Sequence, residues 1–161
     1  MTAPAIPPPV GLTRSTEAAT LDPMAHDELS PDLVEAFRKL KAAWPTRGWS
    51  WDGRFTCLAS SFDSEVADRA RAAAQLALPQ EWTSSKLQSA PSILRELAQH
   101  TGGLRSGQTL FASAPIGRSH AYGLWWPWND STSISLRIGL TGPDFSERHN
   151  ARLRDLFGVT L

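Results

Sequence analysis

Residues 119–140 read SHAYGLWWPWNDSTSISLRIGL, and the alternation within them decides the fold. Ile134, Leu136, Ile138 and Leu140 alternate with Ser133, Ser135, Arg137 and Gly139. Successive side chains of a strand point to opposite faces, so this period of two marks a strand with one buried and one wet face. Asn129-Asp130 supplies the turn before it. Upstream, His120, Tyr122, Leu124, Trp126 and Trp128 share one face of a second strand, and Ala121, Gly123 and Trp125 share the other. Pro127 removes a ladder donor, which puts the end of this strand at an edge or past its pairing. Residues Pro115 to Arg118 turn back to a third strand, where Leu110, Ala112 and Ala114 alternate with Thr109, Phe111 and Ser113. Three strands joined by short turns form an antiparallel meander with one side covered by helices.

Helical signals surround the meander. Ser30 is placed to cap a first helix, with Pro31 in its first turn and Asp32 against its dipole. Leu33, Val34, Phe37, Leu40 and Trp44 follow at helical spacing until Pro45. Trp49 to Phe55 reads as the start of a hairpin, with Asp52-Gly53 as a two-residue type I′ turn and a second strand from Arg54 to about Ser61. A second helix, capped by Asp63 or Ser61, carries a narrow stripe of Val66, Ala70, Ala73, Ala74 and Ala77, with Asp68, Arg69 and Arg71 facing water. Residues 80–90 read as loop or short helix. A third helix runs from about Pro91 to Thr101, with Ser89 as its cap and Gly102-Gly103 as its left-handed end. A fourth starts near Pro143, with Asp144 and Glu147 spaced as a capping box, and buries Phe145, Leu153, Leu156 and Phe157.

The resulting order is α-β-β-α-α-β-β-β-α. It predicts a single α+β domain over residues 30–161, with an antiparallel sheet of about five strands packed by helices. Residues 1–29, with Pro7-Pro8-Pro9, read as a proline-rich leader that favours extended polyproline II. The order of elements is similar to that of GAF, PAS and roadblock-type domains, a likeness of topology that carries no function with it.

Composition narrows the function classes. Sixteen Lys+Arg balance sixteen Asp+Glu, so no long-range field draws nucleic acid or an anionic membrane to the chain. One Cys excludes an internal disulfide framework and a thiolate zinc cage. No apolar run approaches the roughly 20 residues that span a bilayer. The start lacks the basic and apolar regions of a secretory signal, which predicts a cytoplasmic protein. Three Lys among the sixteen basic residues leave thirteen Arg, a bias that reads as coding composition. Seven Trp is the count that carries information, because Trp is amphipathic and enriched in cores and at interfaces.

Catalytic and metal patterns are weak. His26, His100, His120 and His149 show no spacing that sets two ligands on one helix face. Cys57 sits among Thr56, Leu58 and Ala59, as a small buried hydrophobe would. The Gly102 to Gly107 stretch is explained by a helix end and a turn. No catalytic residue, metal ligand or cofactor is assigned. The aromatic segments point instead to binding. Trp125 faces away from Trp126 and Trp128, and Trp49 and Trp51 share a face of the first hairpin, so Trp side chains are expected outside the main core. The leading expectation is a non-enzymatic module that binds another protein, with a homodimer among the options. Trp49, Trp51, Trp125 and Trp128 are its anchors and Arg137 its polar contact. The alternatives are a sensor domain whose cavity is lined by Trp82, His120 and Tyr122, and a small enzyme built on His120, Tyr122 or Cys57.

Overall fold

The computed structural model describes residues 28–130 and 132–161. The Pro7-Pro8-Pro9 stretch and His26 lie outside them. The elements are α1 (Pro31–Ala43), β1 (Ser50–Asp52), β2 (Cys57–Asp63), α2 (Ala67–Ala77), β3 (Gln80–Trp82), α3 (Ser92–His100), β4 (Thr109–Ala112), β5 (His120–Pro127), β6 (Ser133–Thr141) and α4 (Glu147–Leu156). Short 3₁₀ turns at Ser64–Val66 and Leu87–Ser89 lead into α2 and α3. All six strands form one antiparallel sheet in the order β1-β2-β6-β5-β4-β3. This is an α+β fold with the expected β4-β5-β6 meander at its centre.

Each helix sits where its sequence directs. The Ser30 hydroxyl accepts from the Leu33 N–H at 3.2 Å, Pro31 opens α1, and Leu33, Phe37 and Leu40 are buried. Each such side chain contributes about 1.5–3 kcal/mol by leaving water, so Phe37→Asp would dismantle the packing of α1. The alanine stripe of α2 is buried at Ala70, Ala73, Ala74 and Ala77, so α2 lies close to its neighbours. Gly123 extends that closeness into the sheet: a β-carbon there would stand 2.8 Å from Leu78. The main core gathers α1, α2 and α4 over one sheet face, around Leu58, Phe62, Phe111, Trp125, Leu136 and Ile138. Within it the Trp44 indole N–H donates to the Ser60 hydroxyl at 3.0 Å, which satisfies both buried groups.

The structure departs from the sequence reading in six places. Both sheet faces are covered, not one. The second core packs Ala90 and Leu94 of the α3 region on Leu110, Ala112, Tyr122 and Leu124. Ser135 is buried too, its hydroxyl accepting from the Arg137 guanidinium, although a wet face was expected for it. The sheet has a sixth strand, β3, within residues 80–90. Three residues are too few to display alternation, and only the pairing Gln80↔Ala112 to Trp82↔Leu110 defines it.

The first hairpin has no two-residue turn. Asp52 pairs with Cys57, leaving Gly53 to Thr56 as the loop. The Asp52 carboxylate accepts from the Arg54 N–H at 3.0 Å, and Thr56 rather than Gly53 takes the positive φ, 57°. The Asx turn displaces the type I′ geometry that Asp-Gly suggests. Leu29, assigned to the leader, is buried in the core, so the folded unit begins before residue 30. Ser89 lies in the 3₁₀ turn, not at a cap, and Pro91 precedes α3. Ser146 caps α4, with His149 completing its capping box. Asp144 is drawn away by the Arg118 N–H and the Ser119 hydroxyl, each at 2.8 Å.

Candidate protein-interaction surface

Register divides the sequence-selected residues between the two faces. Trp51 pairs with Leu58, so it and Trp49 point toward the helices. Trp49 packs against Trp44 and Phe157, with ring centroids 4.9 and 4.8 Å away. The Arg154 guanidinium lies 4.5 Å above the Trp51 ring, held by Glu147 at 2.9 Å. Both rings are half-buried. Trp125 does not stand on a free face. It is 4% exposed in the main core, 5.3 Å from the Phe62 ring and 6.0 Å from Phe111. Strand parity turned it away from Trp126 as expected, but α2 covers the face it turned to. Arg71, expected in solvent, extends across this face, 5.3 Å above Trp125 and 2.8 Å from Glu81.

Arg137 lies on the opposite face, with Trp126 and Trp128. On this face α3 packs over β4 and β5 and also reaches β6, and the β1, β2 and β6 positions of the same face include Asp52, Ala59, Ser61, Ser133 and Arg137. Arg137 organises it. Its Nε donates to Asp52 at 3.3 Å, a terminal nitrogen donates to the Ser135 hydroxyl at 3.1 Å, and its guanidinium lies 4.7 Å above the Trp126 ring. Burial works against the charge of Asp52. The Arg137 hydrogen bond and the N–H groups of Arg54 and Phe55 outweigh it and hold the carboxyl below its usual range. The left-handed Thr56, uncommon for a β-branched residue, ends a loop in which Phe55 lies 6.2 Å from Trp126.

Trp128 continues this aromatic line into solvent and is 50% exposed. Its backbone is anchored, because its N–H donates to the Ser133 carbonyl at 2.9 Å. The Asp130 carboxylate accepts from the N–H groups of Thr132 and Ser133, both at 2.9 Å, and these bonds hold its pKa down. Two concavities flank the ring. One, of about 300 Å³, is lined by Arg105 to Gln108, Trp126, Pro127 and Asn129, and the other, of about 430 Å³, by Ser61, Asn129, Asp130 and Ser133. An amphipathic ring between two hollows offers a partner a large contact area with few rotatable bonds to immobilise.

The remaining candidates are held by structural bonds. The His120 Nδ1 lies 2.9 Å from the Ser113 carbonyl, and its ring is buried. Tyr122 is buried over Gly139, where a β-carbon would stand 2.6 Å from its Cζ. Burial pushes the Cys57 thiol up to about 12, with the charge of Asp52 adding to the rise, so the nucleophilic thiolate is scarce. Trp82, His120 and Tyr122 share the α3 side of the sheet, but Leu94, Leu110 and Leu124 fill the space between sheet and helix. The His149 Nδ1 is engaged by the Ser146 N–H at 2.9 Å. Among the described residues no group of three or more His, Cys, Asp and Glu is placed to hold a metal ion.

Sequence reasoning placed Arg137 with Ser135 but missed its partners Asp52 and Phe55. They come from a hairpin some 80 residues upstream, and only the β2-β6 pairing brings them there. Among the described residues no helix is long and apolar enough to cross a membrane. No family model, curated protein or solved structure matches the chain.

Proposed function

We propose that this chain is a cytoplasmic binding module, acting by recognition of another protein rather than by catalysis. The binding surface is the part of that sheet face around the turn between β5 and β6. Trp128 is its exposed anchor, Trp126 and Phe55 extend the apolar strip, and Arg137 supplies the polar contact. The observation that carries this reading is Trp128, half in water beside the Trp128 N–H to Ser133 carbonyl bond and the Asp130 carboxylate that accepts from Thr132 and Ser133. Solvent-exposed Trp beside Arg is the composition of interface hot spots. Trp49 and Trp51 form a second, half-buried aromatic region on the helix side and are secondary contacts in this reading. The fully buried thiol, with no second Cys to pair it, suits a reducing compartment.

The test is affinity capture followed by reconstitution. Wild-type chain and Trp128→Ala, each verified as folded, are offered the same native lysate. A protein retained by the wild type and lost by the variant is then purified and titrated by calorimetry. Loss of a hot-spot Trp weakens binding by about 30-fold or more. A captured protein that binds Trp128→Ala and Arg137→Gln as tightly as wild type would remove this surface from consideration.

A further inference from the structure

On the helix side of β1, far from the surface just described in the sheet's layering, three rings stand in a row. Neighbouring centroids are 4.9 Å apart for Trp44 and Trp49, and 4.8 Å apart for Trp49 and Phe157. Trp44 and Phe157 are buried, whereas Trp49 is only half-buried. They floor a concavity of about 560 Å³, walled by Lys41 and Ala42 at the end of α1, by Thr46 to Gly48, and by Gly158. Small-molecule sites fall in the range of roughly 300–1,000 Å³. The loop that forms the wall turns at Gly48, whose φ of 106° only glycine adopts freely.

The chemistry of the wall is one-sided. Among the described residues no acidic side chain lines it. Among the described residues, neither Lys41 nor Arg47 lies within ion-pair distance of a carboxylate. Lys41 already offsets the partial negative charge at the C-terminal end of α1. Arg47 stands beyond the helix, exposed, with no carboxylate partner among the described residues. Beside it the Thr46 hydroxyl is buried and meets no hydrogen-bond partner, a state that native interiors rarely leave unanswered. A half-covered indole and two cations with no carboxylate partner among the described residues therefore line one hollow.

We propose that this hollow binds a small organic anion. Its apolar body covers Trp49, and its carboxylate or phosphate meets Arg47 and Lys41. Guanidinium contacts to such groups are charge-assisted and among the stronger hydrogen bonds. Aromatic floor and cationic wall together select for a molecule that is both apolar and anionic, against either property alone.

Backbone ¹H–¹⁵N NMR of the full chain tests this with three probes: indole-3-acetate, phenyl phosphate and the neutral indole-3-acetamide. The expected result is saturable shifts at Thr46, Arg47, Gly48, Trp49 and Gly158 with at least one anion, at a Kd of about 1 mM or tighter. The anion that binds more tightly identifies carboxylate or phosphate as the preferred group. The amide and the K41Q/R47Q double variant should each weaken binding by about tenfold or more. Both substituted residues are exposed, and the unchanged spectrum of the remainder certifies the fold. Three results would each overturn the proposal. They are no saturable shift at these residues with either anion up to about 10 mM, equal affinity for the amide, and undiminished binding by the double variant.

Discussion

Trp125→Ala and Trp128→Ala delete the same atoms from opposite environments, so the pair measures whether the layering described here is right. Trp125 is 4% exposed and touches Phe62, Phe111 and Arg71. Truncating a buried Trp removes its transfer free energy and leaves a cavity, together about 3–5 kcal/mol. For the roughly 130 described residues, an unfolding entropy of about 2.1 cal/mol/K per residue converts 4 kcal/mol into a fall in Tm of about 14 °C. Trp128 is 50% exposed, and its turn is held by backbone and Asp130 bonds that the indole does not join. Its truncation should shift stability by no more than about 0.5 kcal/mol, or about 2 °C. Urea unfolding followed by far-UV circular dichroism gives both midpoints. Unchanged slopes would show that the same surface is exposed on unfolding in each variant. A loss below about 1 kcal/mol for Trp125→Ala, or comparable losses for the two variants, would refute the placement of Trp125 under α2.

Three further outcomes follow from the geometry. Gly139→Ala should cost about 1–3 kcal/mol in urea unfolding, because its β-carbon overlaps the Tyr122 ring, whereas Gly53→Ala, with open space around it, should cost about 0.5 kcal/mol or less. Asp52 has a folded pKa below its unfolded value, so its contribution is fully present above about pH 4 and is lost as pH falls through the folded pKa. Asp52→Asn should therefore be less stable than wild type at neutral pH and lose less on acidification, as thermal melts across that range would show. Cys57, buried and raised to about 12, should react with a disulfide reagent only at the rate of unfolding, and immediately in denaturant. Rapid labelling of the native chain would contradict its burial.

Local signals carried the helices and the central meander well. Ser30-Pro31-Asp32 starts α1 because each residue acts within one turn of the cap, and that chemistry needs no tertiary partner. The alternation in residues 133–140 is likewise a property of neighbours. Failures arose where a distant element decides. Ser135 reads as wet from its own polarity, but it is buried and its hydroxyl accepts from the Arg137 guanidinium. Trp125 reads as exposed by parity with Trp126, since no pattern within β5 reveals that a second helical layer covers its face. His149 takes the capping position that Glu147 was expected to hold, because Asp144 is bonded across the β5 entrance to Ser119. The candidate surface was half legible for the same reason. Trp128 and Arg137 announce themselves in sequence, whereas Asp52 and Phe55 join them only through β2-β6 register.

The two outermost strands, β1 and β3, are each three residues long. A strand that would extend the sheet can bond to an edge only along its length, so either border offers a recruit a ladder of about two or three bonds. Glu81, within β3, adds charge to one border, and the Asp52 turn closes the other. Edges this short and this charged are how natural sheets avoid stacking side by side into fibres. Short borders of this kind leave little ladder for lateral association, so the sheet's faces rather than its edges are its broad surfaces.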